Sequence, residues 1–351
     1  MSYSPRKYFA GANSPYGFQG YFESIIPPAE ASHIYCIKGG PGVGKSTFMK
    51  RAGGILESAG HRVSYFYCPS DPNSLDGVLD EDTKTAWVDG TAPHITDPVY
   101  PGATASILDF GSFLDFKILK ERREEIIELT DRVSRRFSDA KASLKPAGTI
   151  YENVKKIYRK SEDERAGERL YDSLSKSLFS GKTGNSDKIR RLFLSAITPD
   201  GLVCLADKTL SEYELTILDS FSGDLSSRLT ERLLAEASER GIYAEAFYCP
   251  LSPRDKIDHI VFPELNRAVT VSNSYHPSGN EGKRADVSRC YYEGIDKGAI
   301  SRAMETADVL IAKAVAKLAG ARALHSELEK IYASAMDYAA MNDYALKTVN
   351  I

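Results

Sequence analysis

No apolar run in this 351-residue chain is long enough to cross a bilayer. Neither sign of charge dominates. Lys and Arg number 45 against 48 Asp and Glu, a formal net charge of -3, so no global field points to nucleic acid or a membrane surface. Cysteine is scarce and scattered. The five (Cys36, Cys68, Cys204, Cys249, Cys290) are odd in number and form no C-x-x-C pair, which argues against a disulfide framework and a zinc site. The start, Met-Ser-Tyr-Ser-Pro-Arg-Lys, is polar and lacks the apolar stretch of a signal peptide. A cytoplasmic protein with reduced, mostly buried thiols is expected, long enough for one large or two ordinary domains.

Against these absences stands one dense motif. Gly39, Gly40, Pro41, Gly42, Val43, Gly44, Lys45 and Ser46 fit the phosphate-binding loop pattern G-x-x-x-x-G-K-[ST]. The apolar run Ile34–Ile37 reads as a strand before it, and Thr47–Ala59 as a helix after it. A loop so placed turns successive backbone N–H groups toward phosphate oxygens, and the helix start adds unpaired N–H groups and a positive dipole end. Glycine permits both the backbone angles and the close approach. Residues 39–47 are therefore expected to hold a nucleoside triphosphate. Lys45 would reach the β- and γ-phosphates and Ser46 would ligate Mg²⁺.

Along the chain, Arg62–Cys68 reads as a second strand, Pro69–Gly77 as a turn-rich segment, and Thr85–Val88 as a third strand ending at Asp89-Gly90. Strands alternating with helices imply a parallel sheet covered by helices. From about 113 to 180, charges of both signs alternate with apolar residues at helical spacing, interrupted at Pro146-Ala147-Gly148. The simplest reading is a hairpin of two long helices, their charged face either solvated or a partner surface.

The chain then repeats itself. Phe193, Ala196, Pro199 and Gly201 replay Phe9, Ala12, Pro15 and Gly17. Glu214–Leu218 replays the strand before the loop, and Phe247–Pro250 copies Phe66–Pro69. His276 answers His94, and Lys330-Ile331-Tyr332 echoes Lys156-Ile157-Tyr158. A repeat this long is a tandem duplication of a domain. Two α/β domains are expected, over 1–185 and 186–351, each with a helical segment after its sheet.

The second copy has lost the loop. Opposite Gly39–Ser46 stand Ser220–Ser227, with Leu225 for Gly44, Ser226 for Lys45, and a carboxylate at Asp224 where polyphosphate would lie. This half is expected to be silent toward nucleotide. In the first copy Asp89 is either a metal-holding carboxylate or an ordinary strand-to-turn aspartate. Its counterpart by the simplest register is Val271. Asp71, which becomes Ser252, tracks with the intact loop and is a candidate for positioning water or an acceptor. Asp76, matched by Asp258, and His94 read more simply as structural.

The loop from Lys38 to Thr47, the stretches Tyr67–Val78 and Val88–His94, and the opening Tyr8–Asn13 resemble a family of bacterial tandem P-loop ATPases. The resemblance spans essentially the whole chain. It implies two P-loop NTPase-like domains and ATP as the nucleotide, with ATPase or kinase-like activity; it names no substrate. Three readings follow: an Mg²⁺-dependent ATPase with Lys45, Asp89 and Asp71 as catalytic candidates; a kinase for a small acceptor; and an ATP-dependent switch acting on a protein partner. Gly90, where fast hydrolases often carry a glutamate, weakens the first. Self-association is open, a membrane partner is not expected, and nucleic-acid binding has no positive support.

Overall fold

The computed structural model describes residues 4–93, 95–220 and 224–349. His94 and residues 221–223 therefore lie outside the described residues. The first half contains β1 (Arg6–Phe9), β2 (Gly11–Ser14), β3 (Gly17–Gly20), β4 (His33–Lys38), α1 (Lys45–Ser58), β5 (Val63–Cys68), β6 (Asp71–Asp80), β7 (Thr85–Asp89) and β8 (Ala105–Asp109). Helices α2 (Phe116–Glu121), α3 (Arg123–Lys160) and α4 (Glu164–Phe179) follow. Beyond them come β9 (Ile189–Leu192), β10 (Ser195–Thr198), β11 (Gly201–Cys204), α5 (Ala206–Leu210), β12 (Glu214–Asp219), α6 (Asp224–Glu239), β13 (Ala244–Cys249), β14 (Ser252–Phe262), β15 (Arg267–Ser272), β16 (Lys283–Asp286), α7 (Lys297–Ser334) and α8 (Tyr338–Leu346).

Each half holds a six-stranded sheet of the same topology: β1-β5-β6-β7-β4-β8 in the first, β9-β13-β14-β15-β12-β16 in the second. Most neighbours are parallel, and helices flank the sheets. The sheets are mixed, however, because β6 and β14 run antiparallel to both their neighbours. This corrects two expectations. The sheet is not uniformly parallel, and most of the supposed turn after Cys68 is strand β6. Irregular register between Phe66 and Cys68 lets the chain reverse tightly and still pair. Local polar residues mimic a loop there, while Asp71 and Leu75 pair with β5 and Gly77–Asp80 pair with both β5 and β7.

The helices also depart from the expected hairpin over 113–180. Residues 123–160 form one unbroken helix of 38 residues with Pro146 inside it. A proline removes one intrahelical hydrogen bond, but Ala147 and Gly148 beside it are buried, and packing along the whole helix outweighs that loss. The partner along its length is α7, also 38 residues, from the other half. The two run antiparallel: Leu129 and Val133 cluster with Leu324, Leu328 and Ile331, and Tyr151, Val154 and Tyr158 with Ile300 and Met304.

Past these long helices the two halves exchange their last elements. Leu174, Leu178 and Phe179 of α4 enter the core of the second sheet with Leu229 and Leu233 of α6. Met341 and Ala345 of α8 enter the core of the first with Phe48, Met49 and Trp87. Between the sheets, Phe9 and Phe193 exchange both backbone hydrogen bonds at 2.9 and 3.0 Å. Around them a joint core gathers Tyr8, Phe66 and Ile34 with Leu192, Leu194 and Phe247. The halves are thus related by an approximate twofold axis and share hydrophobic interior. None of the helices among the described residues is long and apolar enough to cross a membrane.

Candidate functional site

The glycine-rich segment Gly39–Gly44 links the C-terminal end of β4, the strand between β7 and the edge strand β8, to the first turn of α1. Its backbone needs glycine where it bends: φ is +72° at Gly42 and +91° at Gly44. Val43 is fully buried and anchors the loop in the core of the first half. Lys45 curls back across the loop, its Nζ donating to the carbonyls of Gly39 at 3.1 Å and Gly40 at 3.0 Å. The ammonium thus lies over the loop's mouth. Ser46, next in α1, accepts a hydrogen bond from the Leu75 N–H at 3.0 Å, and Thr47 is exposed.

Asp89 ends β7, the strand parallel to β4 on one side, in register with Ile37. One carboxylate oxygen accepts from Thr91 N–H and Oγ1 at 2.9 and 2.6 Å. The other lies 3.7 Å from Lys45 Nζ. Asp89 therefore caps its own turn, the plainer of the two readings, and also faces the loop lysine. Asp71, at the start of β6, receives Ser74 Oγ at 2.6 Å and the Asn73 N–H at 3.3 Å. Its carboxylate is thus spent on the irregular start of β6. Asp76 is buried, close enough to Cys68 that, after burial itself, its charge is the main influence raising that thiol's pKa well above the usual range.

Among the described residues no group of three His, Cys, Asp or Glu side chains could hold a metal. Mg²⁺ on a nucleotide takes one or two protein oxygens and draws the rest from phosphate and water. Ser46 Oγ and the Asp89 carboxylate are hard oxygen donors of that kind at the foot of the loop.

The other face of the loop is covered by the second half. The last turn of α7, the corner that follows it, and α8 lie against the glycines. A Cβ on Gly40 would come 2.5 Å from the Tyr332 ring, one on Gly44 would come 3.0 Å from Met341 Cε, and one on Gly42 would overlap the Glu329 backbone. Tyr338 donates its hydroxyl to the Gly42 carbonyl at 2.6 Å. The corner is tied down by backbone bonds from Asp115 N–H to Ala335 O and from Asp337 N–H to Phe113 O. None of Glu329, Tyr332, Tyr338 and Met341 was singled out from the sequence for the loop. The echo of Lys156-Ile157-Tyr158 in Lys330-Ile331-Tyr332 marks the element that covers it, but not what it faces.

The second half repeats the arrangement with different chemistry. Val271 occupies the register of Asp89, opposite Leu218. Ser226, at the position of Lys45, hydrogen-bonds Ser220 through its hydroxyl at 3.0 Å in the interior. The α3–α4 corner meets the start of α6 at Leu225 and Arg228, and it is tied down by bonds from Asp163 N–H to Cys290 O and from Tyr292 N–H to Ser161 O. Here an ion pair joins Glu162 to Arg228. The second half also holds a buried charged cluster. Lys256 Nζ is 2.6 Å from one Asp258 oxygen and His276 Nε2 is 3.1 Å from the other. Burial alone would raise the Asp258 carboxyl, but His276 and Lys256 outweigh it and hold it well below the usual range.

Two cavities open elsewhere. One of about 450 Å³ lies by Glu214, Leu215 and Arg267, and one of about 250 Å³ by Arg6, Cys204 and Lys208. Neither touches residues 39–47. The larger sits at the starting ends of β12 and β15, whereas ligands of open α/β sheets bind outside the carboxyl ends of the strands. The loop meets that rule and the cavity does not. Compared with protein-family models, curated proteins and solved structures, the chain matches none.

Proposed function

We propose that this protein binds ATP with Mg²⁺ on the Gly39–Ser46 loop of its first half and hydrolyses it, while the second half binds none. The observation that carries this is Lys45: one ammonium is held across a strand–loop–helix turn by two loop carbonyls, 3.7 Å from a strand-end carboxylate. On this reading the triphosphate takes over the lysine from those carbonyls. Lys45 then neutralises charge that builds on the transferring phosphoryl group, as the loop N–H groups and the start of α1 do. Ser46 and Asp89 would hold the metal, which would supply further charge neutralisation when bound. Asp89 also keeps Lys45 pointed at the loop.

The kinase reading has less support, since Asp71 spends its carboxylate on its own turn. The silence of the second half is supported by Val271 and Ser226, which stand where a carboxylate and an ammonium would be needed.

Phosphate release from Mg-ATP by the native chain and by Asp89→Asn tests the proposal. The expected result is turnover in the native chain and a loss of at least a hundredfold in the variant, which keeps the hydrogen bond to Thr91 and loses the negative charge. Equal turnover in both would remove Asp89 from the site. No turnover with tight ATP binding would leave a nucleotide-binding switch.

A further inference from the structure

The second half lacks the loop chemistry yet reaches across to the intact loop. We propose that Tyr338, on the helix that ends the second half, is a positioning residue for the phosphate-binding loop: it holds the Gly42–Val43 peptide so that the Val43 N–H faces the phosphates. The inference rests on the reading of Gly39–Ser46 as a phosphate loop.

The argument is one of peptide geometry. Among the described residues the cis peptide bond is Ala92–Pro93, so Gly42–Val43 is trans. In a planar trans unit the carbonyl and the following N–H point in opposite directions. The Tyr338 hydroxyl draws the Gly42 carbonyl toward α8 at 2.6 Å, so the Val43 N–H points away from α8 and back across the loop. A donor aimed in advance costs no reorganisation when the anion arrives. Around this bond the corner is a fitted wall, with the Tyr332 ring against Gly40, the Glu329 backbone against Gly42 and Met341 against Gly44.

The silent half shows what the wall is fitted to. Helices α3 and α7 have equal length, and Asp163 and Asp337 cap the helices after them in the same way. Counting from those caps, Gly167 of α4 stands where Met341 stands in α8, and Glu164 where Tyr338 stands. In the first half a loop glycine, Gly44, meets the bulky Met341. In the second the bulky Leu225, at the start of α6, meets the small Gly167, where an added Cβ would come 3.4 Å from Leu225 Cδ1. The same contact is made with its bulk on opposite sides, and the glycine lies on the loop only where a phosphate would need it. At the place of Tyr338 after the cap stands Glu164, and the tyrosine hydroxyl near the silent loop, that of Tyr291, accepts from the Leu225 N–H at 3.4 Å.

Calorimetric titration of the full chain with Mg-ATP, native against Tyr338→Phe, tests the proposal. The sole tryptophan serves as the docking control, because Trp87 Nε1 donates to Thr348 Oγ1 at 2.8 Å just beyond α8. The expected result is roughly fivefold weaker binding in Tyr338→Phe, the scale of one neutral hydrogen bond, with Trp87 emission unchanged. Equal or tighter binding with unchanged emission overturns the proposal, and tighter binding would make α8 an obstruction. If the substitution shifts Trp87 emission, hydrogen exchange of 338–346 in the native chain decides instead. Slower exchange with Mg-ATP supports the wall; unchanged or faster exchange overturns it. No heat of binding in the native chain would sink the nucleotide reading and this inference together, whereas binding indifferent to Tyr338 sinks this inference alone.

Discussion

His259 sits in the interior beside Lys256, Asp258 and His276, its Nδ1 sharing a hydrogen bond with Thr270 Oγ1 at 2.7 Å. Burial, assisted by His276, brings its pKa down to about 3. An unfolded chain would bind that proton near pH 6.5. The folded pKa is depressed, so the stability it confers is complete above about 6.5 and is lost as pH falls toward 3. The slope from one such proton is at most about 1.4 kcal/mol per pH unit. Urea unfolding at pH 7 and pH 5 should show the native chain losing stability on acidification and His259→Gln losing distinctly less. Equal losses would mean that His259 takes up its proton in the fold. At this scale the sequence was unevenly legible. Lys45, Ser46 and Asp89 could be named because their chemistry is fixed by short-range spacing, and the structure places all three around one loop. Tyr338 could not: it lies 296 residues from Gly42, and a tyrosine early in a helix carries no mark of what it faces.

Between elements, the long helices α3 and α7 do the joining. Leu144, Ala314 and Leu318 are buried together where they cross, and each helix delivers a corner and a short helix to the opposite half. Leu318→Ala removes packing shared by both halves and should cost about 2–5 kcal/mol. Scanning calorimetry should then show one unfolding transition moved down in temperature. A second transition splitting away would mean that the halves unfold independently and that the joint core around Phe9 and Phe193 is weak. The elements explain what was and was not readable. The loop strand and helix, β5 and β7 follow from local periodicity, and the repeated strand order agrees with the repeated Tyr-Cys-Pro. Strand β6 was hidden by its polar, bulged start. The helix exchange was hidden because amphipathic periodicity says that a face is covered and never by which partner; Pro146 was mistaken for a break because its cost is local while the compensation is spread along the helix.

At the scale of the whole molecule, two halves of equal topology each send a corner and a short helix to the other. One loop keeps glycines, a lysine and a strand-end carboxylate. The other half has a Ser220–Ser226 hydrogen bond, a Glu162–Arg228 ion pair and a buried Lys256–Asp258–His276 cluster instead. The central claim is therefore a count: one nucleotide per chain, held by the first half and shaped by the second. Calorimetric stoichiometry of Mg-ATP binding, native and Lys45→Ala, measures that count. The account predicts one site in the native chain and none in the variant. Two sites, or one that survives the loss of Lys45, would contradict it.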